Sequence, residues 1–460
     1  MTITLVLPES VGNQFQKLVT LEVETGGVLL ARPVPSNSGA LRLLATELHL
    51  VPEDAYTRRE AQRLSIRSHG YVPSLQRAEE TATIPIWVHT HPGAPASPQP
   101  SYLDRLVDEQ LSDLFRLRSG SEHYGSLILG LGGSALRYTG FLDSAGPRAP
   151  IDRLFSIGLR FRLAWHEDTH ISAADSLFDR NIRAFGGAVQ NALHDLRVGL
   201  VGCGGIGSSV AEQLARLGVR RFLLMDPDSL SDNNVTRVYG SGLADVGRPK
   251  VDVIGDQIIR IAPDASIDRI TSMATVERAA RRLADVDVLF GCTDDNAGRL
   301  VLSRLSTYML IPVIDCGVLL SSDRQGSLDG IFGRVTILTP GSACLVCRKR
   351  IDLQRAAAEV LTPDERVRRI GEGYAPALPG VEPAVVAFTT HVAALAVGEL
   401  IERFVGYGTD ETPSELIARI HERELSTNKQ DPKPRHYCHP DSGKTGIGFT
   451  EPFLEQSWQR

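Results

Sequence analysis

The run Val198-Gly199-Leu200-Val201 reads as a short buried strand. It leads straight into Gly202-Cys203-Gly204-Gly205-Ile206-Gly207 and a helix opening at Ser208-Ser209-Val210. The glycines at 202, 204, 205 and 207 permit a tight reversal between strand and helix, and the first helical turn then offers unpaired amide donors to a phosphate. A strand of this apolar kind joined directly to a helix is buried within a parallel sheet covered on both faces. The rest of the second half keeps the alternation, with a helix to Leu217, a strand from Arg221 to Met225, and further pairs through Val313. The expected fold of this half is α/β, a Rossmann-like doubly wound and mostly parallel sheet.

The glycine turn alone does not choose the nucleotide. Asp226 ends the next strand about twenty residues on, where an acid receives ribose hydroxyls, and this much would suit an NAD-dependent oxidoreductase. The following residues decide: Asn234, Arg237 and Lys250 supply an amide and two cations that a dinucleotide does not need and a triphosphate does. Asp294, in Cys292-Thr293-Asp294-Asp295-Asn296, follows the strand from Val286 to Phe290 and sits where Mg²⁺ meets phosphates. The reading is therefore ATP with magnesium.

In the first half, Val11, Phe15, Leu18 and Leu21 fall at helical spacing, and Gly26-Gly27-Val28-Leu29-Leu30 reads as the start of a buried strand after that helix. A second short strand, Ile84 to Val88, ends in His89-Thr90-His91. Two residues apart at a strand end, both imidazoles leave one face and reach one metal ion. Asp104 lies in the first turn of a helix that Ser101 caps, so it is the third ligand; two nitrogens and one carboxylate leave a position open, the arrangement of a catalytic zinc. Glu24, beside small residues at a strand start, is the candidate base.

Composition removes other classes. A formal charge of −6 over 460 residues, with no basic run, argues against nucleic acid. No apolar stretch is long enough to span a membrane and Met1 to Ser10 lacks the features of a signal peptide, which predicts a cytoplasmic protein. Six cysteines are too sparse for a disulfide scaffold. Cys344 and Cys347 have the spacing of half a second, structural zinc site, which Cys438, flanked by His436 and His439, could complete; two buried cysteines without metal is the alternative. The composition breaks divide the chain into residues 1–160, a linker 161–176, a second domain 177–426 and a mostly irregular tail 427–460, with Thr362 to Gly380 as a loop crossing the sheet.

The first third, with Glu24, His89-Thr90-His91-Pro92 and Ser101 to Asp104, resembles the JAB/MPN (JAMM) metallopeptidases, although the stretch Pro92 to Pro100 is longer than that family's usual gap. The resemblance implies an α+β, cytidine-deaminase-like domain, with His89, His91 and Asp104 on zinc, Glu24 taking a proton from water and Ser101 supporting the oxyanion. Residues 177–406 are similar to the ubiquitin-activating superfamily, the ThiF/MoeB-like adenylyltransferases. That resemblance implies ribose on Asp226, phosphates on Asn234, Arg237 and Lys250, and magnesium on Asp294. It also implies that Arg180, in Phe178-Asp179-Arg180-Asn181-Ile182, reaches a partner subunit's ATP site, hence a homodimer. The expected activity is adenylation of the C-terminal glycine of a ubiquitin-like or sulfur-carrier protein, joined to zinc-dependent processing of that protein, with a separate sulfur donor or conjugating enzyme downstream. Adenylation of a small peptide, or a first domain that only grips the carrier, are the alternatives.

Overall fold

The computed structural model describes residues 2–36, 39–93, 98–133, 135–144, 148–166, 176–323, 327–361, 365, 384–408 and 412–458. Two compact units divide the chain: Met1–His170 with Gly446–Phe449, and Ile171–Thr445 with Thr450–Arg460.

The first unit opens on a strand that sequence reading misses. β1 (Ile3–Pro8) is buried at all six residues and so lacks the alternation that marks a half-exposed strand. After it come α1 (Glu9–Leu18), β2 (Gly26–Pro35), β3 (Leu41–Leu50), the ribbon β4 (Tyr56–Glu60) and β5 (Arg63–Ile66), and α2 (Val72–Thr81). Next are β6 (Ile84–Thr90), α3 (Tyr102–Ser119), β7 (Tyr124–Gly132), β8 (Ala135–Asp143), β9 (Ala149–Pro150), β10 (Arg153–Ile157) and β11 (Arg162–Trp165). Leu21, expected on the face of α1, lies past its end and is exposed. β11 pairs antiparallel with β10, so residues expected in a linker extend the sheet.

Nine strands form one mixed sheet in the order β11-β10-β1-β3-β2-β6-β7-β8-β9. Because side chains alternate across a strand, Leu29, Ala31, Ile86 and Val88 pack with Phe15 of α1 on one face. Val28, Leu30 and Trp87 pack with Leu75 of α2 and Phe115 of α3 on the other. His89 is two residues beyond Trp87 and therefore faces α3.

In the second unit, α4 (Asp179–Phe185) and α5 (Gly187–Asp195) precede β12 (Arg197–Val201), α6 (Gly205–Arg216), β13 (Arg221–Met225), α7 (Lys250–Ile261), β14 (Ser266–Ile270) and α8 (Glu277–Arg282). Then follow β15 (Val288–Gly291), α9 (Asn296–Tyr308), β16 (Val313–Ser322), β17 (Leu328–Leu338), α10 (Leu353–Glu359), α11 (Val386–Val405), β18 (Glu415–Arg419) and β19 (Glu424–Asn428). The sheet order is β14-β13-β12-β15-β16-β17-β18-β19, parallel from β14 through β16 and antiparallel thereafter. Chain order reverses beside β12, which pairs with β13 on one side and β15 on the other. At such a switch point the loops leaving the strands' carboxyl ends diverge and open a crevice.

The region expected as a mostly irregular tail is anchored to the unit. Its first two residues complete β19, and Phe453 and Leu454 are fully buried. The loop expected at Thr362 to Gly380 lies almost wholly outside the described residues.

Candidate functional site

A cleft of 880 Å³ opens at the switch point, lined by Gly202, Gly204, Gly205, Asp226, Arg237, Lys250 and Asp294 among others. Two of the turn's glycines are required by space. Gly202 has φ +96°, and a Cβ there would lie 2.6 Å from the Cys292 carbonyl carbon. At Gly207 a Cβ would lie 1.9 Å from the Gly202 carbonyl oxygen, so any side chain would push the helix off the turn. Gly207 thus fixes the turn without lining the cleft, and Gly204 meets nothing within 4 Å and stays open to a ligand.

Asp226 is 5% exposed. One carboxylate oxygen accepts from the Cys203 amide at 2.6 Å and the other from the Asp228 amide at 2.9 Å. Each oxygen keeps a lone pair for a further donor, the geometry that two ribose hydroxyls need. Burial pushes the Asp226 carboxyl above its ordinary value, against the opposing pull of Lys250 and the two amides. Lys250, the first residue of α7, places its Nζ 2.7 Å from Asp228 Oδ2 and 4.0 Å from Asp226 Oδ1. Arg237 is tethered to the Asn233 carbonyl at 3.0 Å. Asp294 is exposed at the β15 end, while its neighbour Asp295 caps α9 by accepting from the Gly298 amide at 2.5 Å.

Asn234, expected in this site, does not appear on its wall, and Arg180, expected to reach a partner subunit's site, stands away from this one. Asn234 Oδ1 accepts from the Ser231 amide at 3.2 Å and closes a single 3₁₀ turn, so its side chain is spent on local structure. Arg180 is exposed in the first turn of α4 and does not line the cleft of its own chain.

The structure adds four arginines that sequence reading missed: Arg299, Arg334, Arg350 and Arg355 also line the cleft. Asp315, fully buried, holds Arg299 at 2.6 Å and Arg334 at 2.9 Å; Glu415, also fully buried, holds Arg350 at 2.9 Å. Burial works against the Arg299 cation, but Asp315 outweighs it and holds its pKa above the ordinary value. Arg299 sits in the first turn of the helix that Asp295 caps, the one local signal that could have announced it.

In the first unit, His89, His91 and Asp104 converge. Asp104 reaches His89 Nε2 at 3.5 Å and His91 Nε2 at 3.3 Å, and the two Nε2 atoms are 3.2 Å apart. Nitrogen and oxygen ligands about 2.0–2.1 Å from a tetrahedral zinc would stand roughly 3.3 Å from each other, so the three residues fit one ion. A capping box presents Asp104: its amide donates to Ser101 Oγ at 3.1 Å, and its Oδ2 accepts from the Ser101 amide at 2.7 Å. Ser101 Oγ is thereby engaged as the helix cap. Burial would raise the Asp104 carboxyl, yet hydrogen bonds from both imidazoles outweigh it and hold it well below the carboxylate range. Glu24 is 8% exposed. Burial pushes its carboxyl up to about 7, with His91 lowering and Asp104 raising it, so it lies within the field of the same cluster.

A second cluster gathers Cys344, Cys347, His436 and Cys438, with ligand atoms all within 4.8 Å of one another. Cys344 Sγ to His436 Nδ1 is 3.5 Å, His436 Nδ1 to Cys438 Sγ 3.3 Å, and Cys347 Sγ to Cys438 Sγ 3.6 Å. The Lys433 amide also donates to Cys347 Sγ at 3.4 Å, which favours the thiolate. The fourth position belongs to His436, because His439 Nδ1 accepts from the Asp441 amide at 3.2 Å and serves as a cap. Cys316, by contrast, is buried at the cleft wall.

A model of the ThiF family matches residues 178–439, all within the second unit. Over 172 residues the chain is 30% identical to the molybdopterin-synthase adenylyltransferase of Escherichia coli K12, covering 37% of this chain and 65% of that protein. It is 39% identical over 100 residues to the tRNA threonylcarbamoyladenosine dehydratase of Bacillus subtilis 168, covering 22% and 39%. To the ubiquitin-like modifier-activating enzyme 5 of Caenorhabditis elegans it is 25% identical over 263 residues, covering 54% and 55%. The chain thus spans less than two thirds of the length of these relatives. A crystal structure of E. coli MccB with ATP aligns at TM-score 0.45 and 17% identity, covering 58% of this chain and 74% of that one.

Proposed function

The chain belongs to the ThiF family, and we propose that it adenylates the C-terminal glycine of a ubiquitin-like or sulfur-carrier protein while its first unit processes that same protein as a zinc peptidase. The observation that carries the first half is the convergence of Gly202, Gly204, Asp226, Arg237, Lys250 and Asp294 on one cleft. Asp226 receives the ribose hydroxyls, and Lys250 and Arg237 face the phosphates. The glycine carboxylate is already ionised and needs no base. It forms a bond to the α-phosphorus as the bond from that phosphorus to the bridging oxygen breaks, and the electron pair leaves with pyrophosphate. What opposes this step is repulsion between anions, which prepositioned cations offset. Magnesium, held by Asp294, would neutralise further phosphate charge. Arg299 and Arg334 add two further cations to the same cleft, which the carrier's tail would enter. Arg180 would serve the cleft of a second copy, as a homodimer requires.

For the first unit, His89, His91 and Asp104 would hold zinc, which polarises a scissile carbonyl and water when bound. Glu24 takes the proton from the attacking water and returns it to the departing amine, and Ser101, beyond capping α3, would support the oxyanion. Cys344, Cys347, His436 and Cys438 would hold a second, structural zinc that ties the C-terminal segment to the loop after β17. The two heads then share one carrier: trimming exposes the terminal glycine that adenylation uses.

Carrier-dependent ATP–pyrophosphate exchange tests the adenylation reading. The wild-type chain is expected to exchange only when a glycine-terminated carrier is present, and Asp294→Ala to lose that exchange. Exchange near wild-type level in Asp294→Ala would reject the magnesium role.

A further inference from the structure

We propose that the cavity beside the histidine pair is a specificity pocket, taking one large neutral side chain, aromatic with a polar tip, from a residue flanking the bond to be cut. This rests on the peptidase reading of the first unit. The cavity holds 390 Å³, near the lower end for a ligand site, and begins at His89 and Asp104. Trp87, Leu111, Ile128 and Phe141 wall it. A residue whose side chain enters it therefore has its backbone beside the metal ligands.

Two features give the pocket its chemistry. Thr139 lines it and is 4% exposed, yet its hydroxyl has no hydrogen-bond partner among the described residues. An unpaired buried hydroxyl is costly, and here it points to a polar atom that a ligand would supply. Of the charged groups that line it, in contrast, Asp108 and Arg148 are paired with each other, and Arg105, without an ion pair among the described residues, is exposed to solvent. Arg148 bonds Asp108 and donates to Ser126 Oγ at 2.6 Å, and its guanidinium lies 4.6 Å over the Phe141 ring. Asp108 also accepts from the Tyr124 hydroxyl at 2.6 Å. A lysine entering would find Asp108 already paired and would lose its hydration, whereas a tyrosine would find apolar walls and one hydroxyl. Glycine would leave the space unfilled.

The test is cleavage of two series of quenched peptides by the full chain with zinc added, varying in turn the residue on each side of the bond among Gly, Phe, Tyr, Lys and Glu. On one side, Tyr is expected to exceed Gly and Lys in kcat/KM by roughly tenfold or more. Leu111→Trp, which fills the pocket, should erase that preference while Gly peptides are still cut and zinc content is unchanged. Thr139→Val, close in shape, should lower Tyr relative to Phe. Equal rates across both series, or a Tyr preference that survives both substitutions, would overturn the pocket. If no peptide of either series is cut by zinc-loaded protein, the peptidase reading itself fails and the pocket proposal falls with it.

Discussion

Replacing Lys250 with alanine lowers carrier-dependent ATP–pyrophosphate exchange by about 10²–10³-fold, the scale seen when one prepositioned electrostatic group is lost from a reacting centre. The side chain is 12% exposed and lies between two carboxylates, 2.7 Å from Asp228 and 4.0 Å from Asp226. Without it, those acids face the incoming phosphates unopposed, and the attacking carboxylate meets the full repulsion of the α-phosphate. Most of the loss is expected in kcat at saturating ATP, because charge is gathered most tightly at the transition state. Lys250→Arg keeps the charge and should recover part of the rate, since the planar guanidinium cannot occupy the ammonium's place between Asp226 and Asp228. Initial rates of exchange for the three proteins decide the matter. Alanine and wild type within a factor of a few of each other would remove Lys250 from the reaction.

Glu24→Gln is expected to reduce zinc-supported cleavage of carrier fusions by about 10²–10⁴-fold, the range for loss of a general base. Zinc content should be unchanged, because the three metal-facing side chains His89, His91 and Asp104 remain. Shape and burial are nearly preserved, so the protein should still fold. Glutamine can hold a water by hydrogen bonding but cannot take its proton. His89→Ala provides the contrast: there both zinc and cleavage should be lost together. Equal cleavage by Glu24→Gln and wild type, at equal zinc occupancy, would show that Glu24 is not the base.

What could be read in advance was local. The glycine turn announces itself because strand, turn and helix are contiguous, and the steric demands at Gly202 and Gly207 act within a few residues and across to the next loop. His89 near the end of β6 and His91 one residue past it leave the same side by simple alternation, and Asp104 is positioned by a capping box that spans four residues. Features set by distant pairing were not legible. β1 is a run of buried residues lying between β3 and β10, a place that only its partners define. The antiparallel strands β17 to β19 follow no βαβ rhythm, and three of the four cleft arginines are held by Asp315 and Glu415, which sequence presents as isolated acids. Asn234 is a different case: its position suits a phosphate ligand, while its Oδ1 accepts from the Ser231 amide, as asparagine readily does with nearby backbone. The choice of His436 over His439 depended on the path of a loop, since both are near Cys438 in sequence.

The measurement that bears most directly on the second unit is the intact mass of glycine-terminated ubiquitin-like and sulfur-carrier proteins after incubation with the full chain, magnesium and ATP. The expected outcome is a carrier species heavier by one adenylyl group, formed with release of pyrophosphate and absent when Lys250 is alanine. Carriers of unchanged mass and no pyrophosphate, from a protein that NADH and not ATP protects against thermal unfolding, would contradict adenylation and return the cleft to dinucleotide chemistry.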